Sequence, residues 1–126
     1  MGGTAGSTGE EGAYRKRVDE VLGRLDQGFE NVDPDLAESD FSQGTLVITF
    51  KQAYKLILSP QAPLRQIWAA FRDRAWHFAL DSASGHWIDD RGQGVELFAL
   101  VTDLAREHAG VDVKPQLLAA RQQIRK

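Results

Sequence analysis

The chain has no cysteine in its 126 residues, which excludes disulfides, thiolate metal sites and cysteine nucleophiles. No apolar run approaches the roughly 18 residues that span a bilayer. The first twelve residues hold no Lys or Arg and no apolar core, so they read neither as a secretory signal nor as an Arg-rich transit peptide. With no targeting segment in view, the cytoplasm is the expected compartment. Also missing are a Ser-His-Asp order, a Gly-rich phosphate loop and HExxH spacing. Gly92-Gln93-Gly94 is a loop before a helical stretch, but it lacks the GxGxxG pattern and a nucleotide-binding Lys. These absences argue against the common hydrolase, nucleotide-binding and zinc-protease designs.

What is present has the balance of a folded domain. Hydrophobic residues make up 42% and charged residues 26%, and the length suits one core. The net charge of −3 hides an asymmetry. Residues 1–45 carry ten acidic and four basic residues, whereas residues 46–126 carry eight and eleven. The acidic excess falls at Asp26, Glu30, Asp33, Asp35, Glu38 and Asp40, with no Lys or Arg among them. Such a block repels nucleic acid and attracts cations or a basic protein surface.

Residues 1–13 are rich in Gly, Ser and Thr and are expected to form a mobile tail, with capping-box spacing at Thr8 and Glu11. Apolar residues at Tyr14, Val18, Val21, Leu22, Leu25 and Phe29 predict a helix with one buried stripe, with Gly28 as its stop. Alternation then predicts strands. Glu38 and Asp40 fall opposite Ala37, Ser39 and Phe41. Leu46, Ile48 and Phe50 share a face after the turn Ser42-Gln43-Gly44. Tyr54–Ser59 follows and is expected to end at Pro60 and Pro63. Ile67, Ala69 and Phe71 point inward, as do Trp76, Phe78 and Leu80, and His86–Ile88 is a short strand. A second helix is predicted from Gly94 or Val95, with a stripe of Leu97, Phe98, Val101, Leu104, Ala105 and His108, closed by Gly110. Residues 115–126 suggest a short helical extension, with Pro115 near its start.

Short strands joined by hairpin-length links give a largely antiparallel sheet of five to six strands. One stripe per helix places both helices on a single sheet face. The fold class is therefore α+β, a two-layer α-β-α sandwich with one open sheet face.

Gly44-Thr45-Leu46-Val47-Ile48-Thr49-Phe50 is similar to bacterial frataxins, the CyaY family. The likeness continues through Tyr54–Leu58 and becomes specific at Pro63-Leu64-Arg65-Gln66-Ile67-Trp68. It extends through Trp76-His77-Phe78, then Gly85-His86-Trp87-Ile88-Asp89-Asp90-Arg91, and the helix Glu96–His108. It spans residues 14–114 and implies the same sandwich. It also implies weak binding of ferrous and ferric iron along an acidic ridge, and docking on the cysteine desulfurase and scaffold protein of iron–sulfur cluster assembly. The sequence departs from the family at Leu22–Gln27, where only Asp26 matches a carboxylate position, and at Lys51-Gln52-Ala53, which replaces an Asn-Gly turn.

Carboxylate oxygens suit iron, and a thiol-free chain offers little else besides histidine. Read without the resemblance, the acidic run is a solvated face. With the resemblance, Asp26, Glu30, Asp33, Asp35, Glu38 and Asp40 are iron candidates, and Asp19 and Glu20 lesser ones. Trp68 reads either as a half-buried packing residue or as an aromatic anchor, and the resemblance assigns Gln66 and Trp68 to a partner-binding sheet face. His77 is expected to share that face, while His86 and His108 carry no specific signal. Three functions follow: an iron-binding adaptor or chaperone acting as a monomer or as an iron-dependent oligomer, a pure interaction module, and a ferroxidase whose activity arises from bound iron.

Overall fold

The computed structural model describes residues 2–115, with side chains from residue 9 onward. Helix α1 (Gly2–Gln27) is followed by six strands: β1 (Ala37–Ser42), β2 (Thr45–Phe50), β3 (Lys55–Gln61), β4 (Gln66–Phe71), β5 (Arg74–Asp81) and β6 (His86–Asp89). Helix α2 (Leu97–Ala109) comes last. Every strand pairs antiparallel with the next, so the sheet is a meander in the order β1-β2-β3-β4-β5-β6.

Alternation decides the two faces. Leu46, Ile48, Phe50, Leu56, Leu58, Ile67, Ala69, Phe71, Trp76, Phe78 and Trp87 are buried with Val18, Val21, Leu22 and Leu25 of α1 and Leu97, Val101, Leu104 and Ala105 of α2. Both helices therefore lie over one face in a single core. On the other face, Glu38, Asp40, Lys55, Ile57 and Ala70 are exposed, and Val47, Trp68 and His77 are half-buried.

The first strands are joined by Gln43-Gly44, with φ of 54° and 81°, a two-residue turn whose twist matches the strands. Helix α2 is capped by Glu96, whose carboxylate accepts from the N–H groups of Phe98 and Ala99 at 2.9 and 3.1 Å. Gly110 closes it at φ 68°.

Four boundaries differ from the sequence reading. The helix begins at Gly2 and not near Tyr14, so the tail expected over residues 1–13 is helical from residue 2. Glycine weakens a helix by about 1 kcal/mol per residue, but no proline interrupts the ladder before Pro34. Strand β3 runs through Pro60, which pairs with Ile67 and does not end it. Pairing with β2 stops at Leu58, so the missing N–H of Pro60 breaks no rung there. The link to β4 is a 3-10 turn, Ala62–Leu64, where an extended connection was expected. Helix α2 starts at Leu97, two or three residues later than expected. The helical extension predicted over residues 115–126 lies, beyond Pro115, outside the described residues.

Candidate functional site

Two surfaces carry the residues singled out by the sequence. The first is the seam between the end of α1 and β1. Ser39 donates its hydroxyl to Asp26 Oδ1 at 2.6 Å, which stitches the last turn of α1 to the first strand. Asp26 is half-buried there. Glu30 stands exposed in the turn that follows. Asp33 Oδ1 accepts from the N–H of Asp35 at 3.0 Å, so this carboxylate shapes its own loop. Glu38 and Asp40 project from β1 on the open face, across from Thr49 and Val47.

The structure brings Asp26, Glu30 and Glu38 around one shallow depression, floored by Phe29, Val32 and Ser39. Asp33, Asp35 and Asp40 lie off it. The carbonyl end of α1 adds a partial negative charge at the same place. Among the described residues no three His, Asp or Glu side chains converge closely enough to share one ion. The acidic residues are thus spread along the seam, with Glu30, Glu38 and Asp40 exposed and Asp26 and Asp33 engaged in local hydrogen bonds.

The second surface is the middle of the open sheet face. Register pairs Trp68 with His77, and their rings stack with centroids 4.3 Å apart at 17°. The indole N–H of Trp68 donates to Gln66 Oε1 at 2.8 Å, and Gln66 Nε2 donates to Asp90 Oδ2 at 3.1 Å. His77 Nδ1 lies 3.8 Å from the same Asp90 oxygen. Gln66, Trp68 and His77 are therefore brought together, and Asp90 completes a ring of contacts that the sequence did not assign to a site.

The backbone of His77 is fixed as firmly as its ring. Its N–H donates to Oδ1 of the buried Asp89 at 2.8 Å, and its carbonyl accepts from the N–H of Asp90 at 2.8 Å. Asp89 faces Arg91 Nε at 3.4 Å across its other oxygen. Behind the sheet, Tyr14 of α1 donates to the carbonyl of Gln66 at 2.5 Å and accepts from the N–H of Gln61 at 3.0 Å. Burial raises the Tyr14 hydroxyl above its ordinary pKa, against smaller opposing effects of the Gln61 N–H, Arg15 and Arg65. Of the remaining histidines, His86 is exposed, while His108 packs against Phe71 and Tyr54 at the core's edge.

One signal for Asp90 was present in the sequence. The run Asp89-Asp90-Arg91 puts two carboxylates at the end of a strand, where one must face the core side and the other the solvent. Pairing of β5 with β6, through Phe78 with Asp89, then carries Asp90 beside His77.

Among the described residues, a six-strand meander with two helices on one side and an aromatic cluster on the other face defines a two-layer α+β sandwich. A family model described as a frataxin-like domain matches residues 7–111. The iron–sulfur cluster assembly protein CyaY of Tolumonas auensis is 37% identical over 89 residues, covering 71% of this chain and 82% of its own. The protein of the same name from Pseudomonas aeruginosa is 36% identical over 104 residues, covering 82% and 94%. Among solved structures, a frataxin from Psychromonas ingrahamii superimposes with a TM-score of 0.71 at 23% identity, over 82% of this chain and 97% of its own. The chain belongs to the frataxin-like family.

Proposed function

We propose that the chain is an adaptor of iron–sulfur cluster assembly in the bacterial cytoplasm. In this reading it binds iron loosely on its acidic ridge and docks through its open sheet face on a cysteine desulfurase and its scaffold. The observation that supports docking most is the Trp68–His77 stack, tied through Gln66 to Asp90 on the face that neither α1 nor α2 covers. An aromatic held in one orientation loses little freedom when a partner covers it, which is what makes such residues effective anchors. The names of its CyaY relatives support the pathway.

Iron is cargo here. Glu30, Glu38 and Asp40 offer hard oxygen donors to solvent, and Asp26 gives one oxygen to Ser39 and retains another. The spread of these groups favours weak, hydrated binding, with water filling most of the coordination shell. The same spread supports a second reading, in which the chain keeps the docking function without useful iron affinity. A ferroxidase centre, which must hold its iron in fixed geometry, has less support.

The test compares Trp68→Ala with the parent chain for affinity toward the desulfurase and scaffold, and for thermal stability. Removing a half-buried ring should destabilise less than the about 3–5 kcal/mol typical of a core tryptophan. Binding should weaken by about 2 kcal/mol or more, near thirtyfold. Intact binding with severe destabilisation would make Trp68 a packing residue and remove the open face as the dock.

A further inference from the structure

Four cations gather on the tips of two neighbouring hairpins, at one end of the sheet. Lys51 lies in the turn between β2 and β3, and Lys55 opens β3. Arg72 sits in the turn between β4 and β5, and Arg74 opens β5. Pairing of Leu56 with Phe71, and of Phe71 with Arg74, sets the Lys55 end of β3 beside the Arg72 turn. All four residues are exposed.

None of the four has a carboxylate within ion-pair distance among the described residues. The arginines are held by rings instead. The Arg72 guanidinium lies 4.2 Å from the centroid of Tyr54, and that of Arg74 lies 4.7 Å from Trp76. A guanidinium held over a ring by its charge still carries N–H groups that can meet a carboxylate. Arg72 also holds φ at 57°, a left-handed conformation that disfavours any side chain. The turn thus presents an exposed cation, next to the exposed Asp73, where glycine would sit more easily.

We propose that this end of the sheet docks an acidic segment of a partner protein. Arg72 and Arg74 receive its carboxylates in fork geometry, and Lys51 and Lys55 supply the surrounding positive field. A short segment fits better than a nucleic acid. The start of β1 lies at the same end of the sheet, since Ala37 pairs with Phe50, and a long polyanion continuing past the hairpins would meet Glu38 and the carboxylates of residues 30–35. Lys55 opens onto the same sheet face as Glu38 and Trp68, but the site itself uses neither iron nor the Trp68 cluster.

The test titrates the isotope-labelled chain with a short poly-glutamate peptide and follows backbone amide shifts. Shifts should concentrate at residues 51–55 and 72–75, and affinity should fall as salt rises. Arg72→Gly with Arg74→Gln should weaken binding by about tenfold, a factor of a few for each exposed charge pair lost. Glycine accepts the left-handed turn, so this variant keeps its fold, and Lys51→Glu with Lys55→Glu provides a second, purely surface variant with the same expected direction. Replacing both arginines with lysine keeps the charge but loses the fork, and should still weaken binding several-fold. Equal affinity of the lysine variant would mean diffuse attraction and overturn the site. Shifts centred elsewhere would overturn it too, and tighter binding of duplex DNA at these residues would overturn the assignment to a protein segment.

Discussion

Ala53 holds φ at 67° in the turn between β2 and β3, where its N–H donates to the carbonyl of Phe50 at 2.7 Å. A side-chain-bearing residue in this region costs about 1–2 kcal/mol relative to glycine's freedom there. Glycine costs about 0.5–1 kcal/mol more entropy on folding, so Ala53→Gly should stabilise the domain by about 0.5–1 kcal/mol net. Denaturant unfolding checks it: the midpoint should rise with an unchanged slope. A lowered midpoint would mean that the methyl group packs usefully. At this scale the sequence was partly legible. It put Trp68 and His77 on one sheet face because alternation decides that, but it passed over Glu96 as a cap. A glutamate is an uncommon first cap, and nothing in its spacing distinguishes it from an ordinary exposed carboxylate. Asp90 was missed because its role depends on which strand lies beside His77, a fact of pairing and not of pattern.

Helix α1 is fastened to the sheet by Tyr14 as well as by its apolar stripe. The hydroxyl bridges Gln61 and Gln66, at both ends of the Ala62–Leu64 turn, so helix and hairpin hold each other in place. Burial raises the folded-state pKa of this phenol above its ordinary value of 10.0, chiefly through desolvation of the phenolate. The folded state therefore binds this proton more tightly than the unfolded chain. The resulting stabilisation is complete below the unfolded value and is lost as pH rises through the folded one. Stability should fall on alkaline titration above pH 10.0, and Tyr14→Phe should flatten that part of the profile. An identical alkaline decline in the phenylalanine variant would place the titration elsewhere. The element order and the inward faces were legible because each strand repeats every two residues and each helix carries one stripe. The start of α1 was not, since glycine and serine lower helix propensity without forbidding it. Nor was the passage of β3 through Pro60, which depends on where the neighbouring strand stops pairing.

Over the whole molecule, charge and shape are divided in the same way as the sequence. Carboxylates occupy the α1–β1 seam, exposed cations occupy the β2–β3 and β4–β5 tips, and the open face carries the Trp68 cluster. No helix among the described residues is long and apolar enough to cross a membrane. The acidic run was legible as a run, but its geometry was not, because only the fold separates Asp33, Asp35 and Asp40 from the depression that Asp26, Glu30 and Glu38 line. The central claim is that iron and the protein partner use different surfaces. Titration of the isotope-labelled chain with ferrous iron under anaerobic conditions, read by paramagnetic broadening of backbone resonances, tests it most directly. Broadening should be confined to residues 26–40, be reversible and weak, diminish when Glu38 and Asp40 are neutralised together, and be unchanged in Trp68→Ala. Broadening centred on His77, His86 or His108, or undiminished in the Glu38 and Asp40 double variant, would contradict the account.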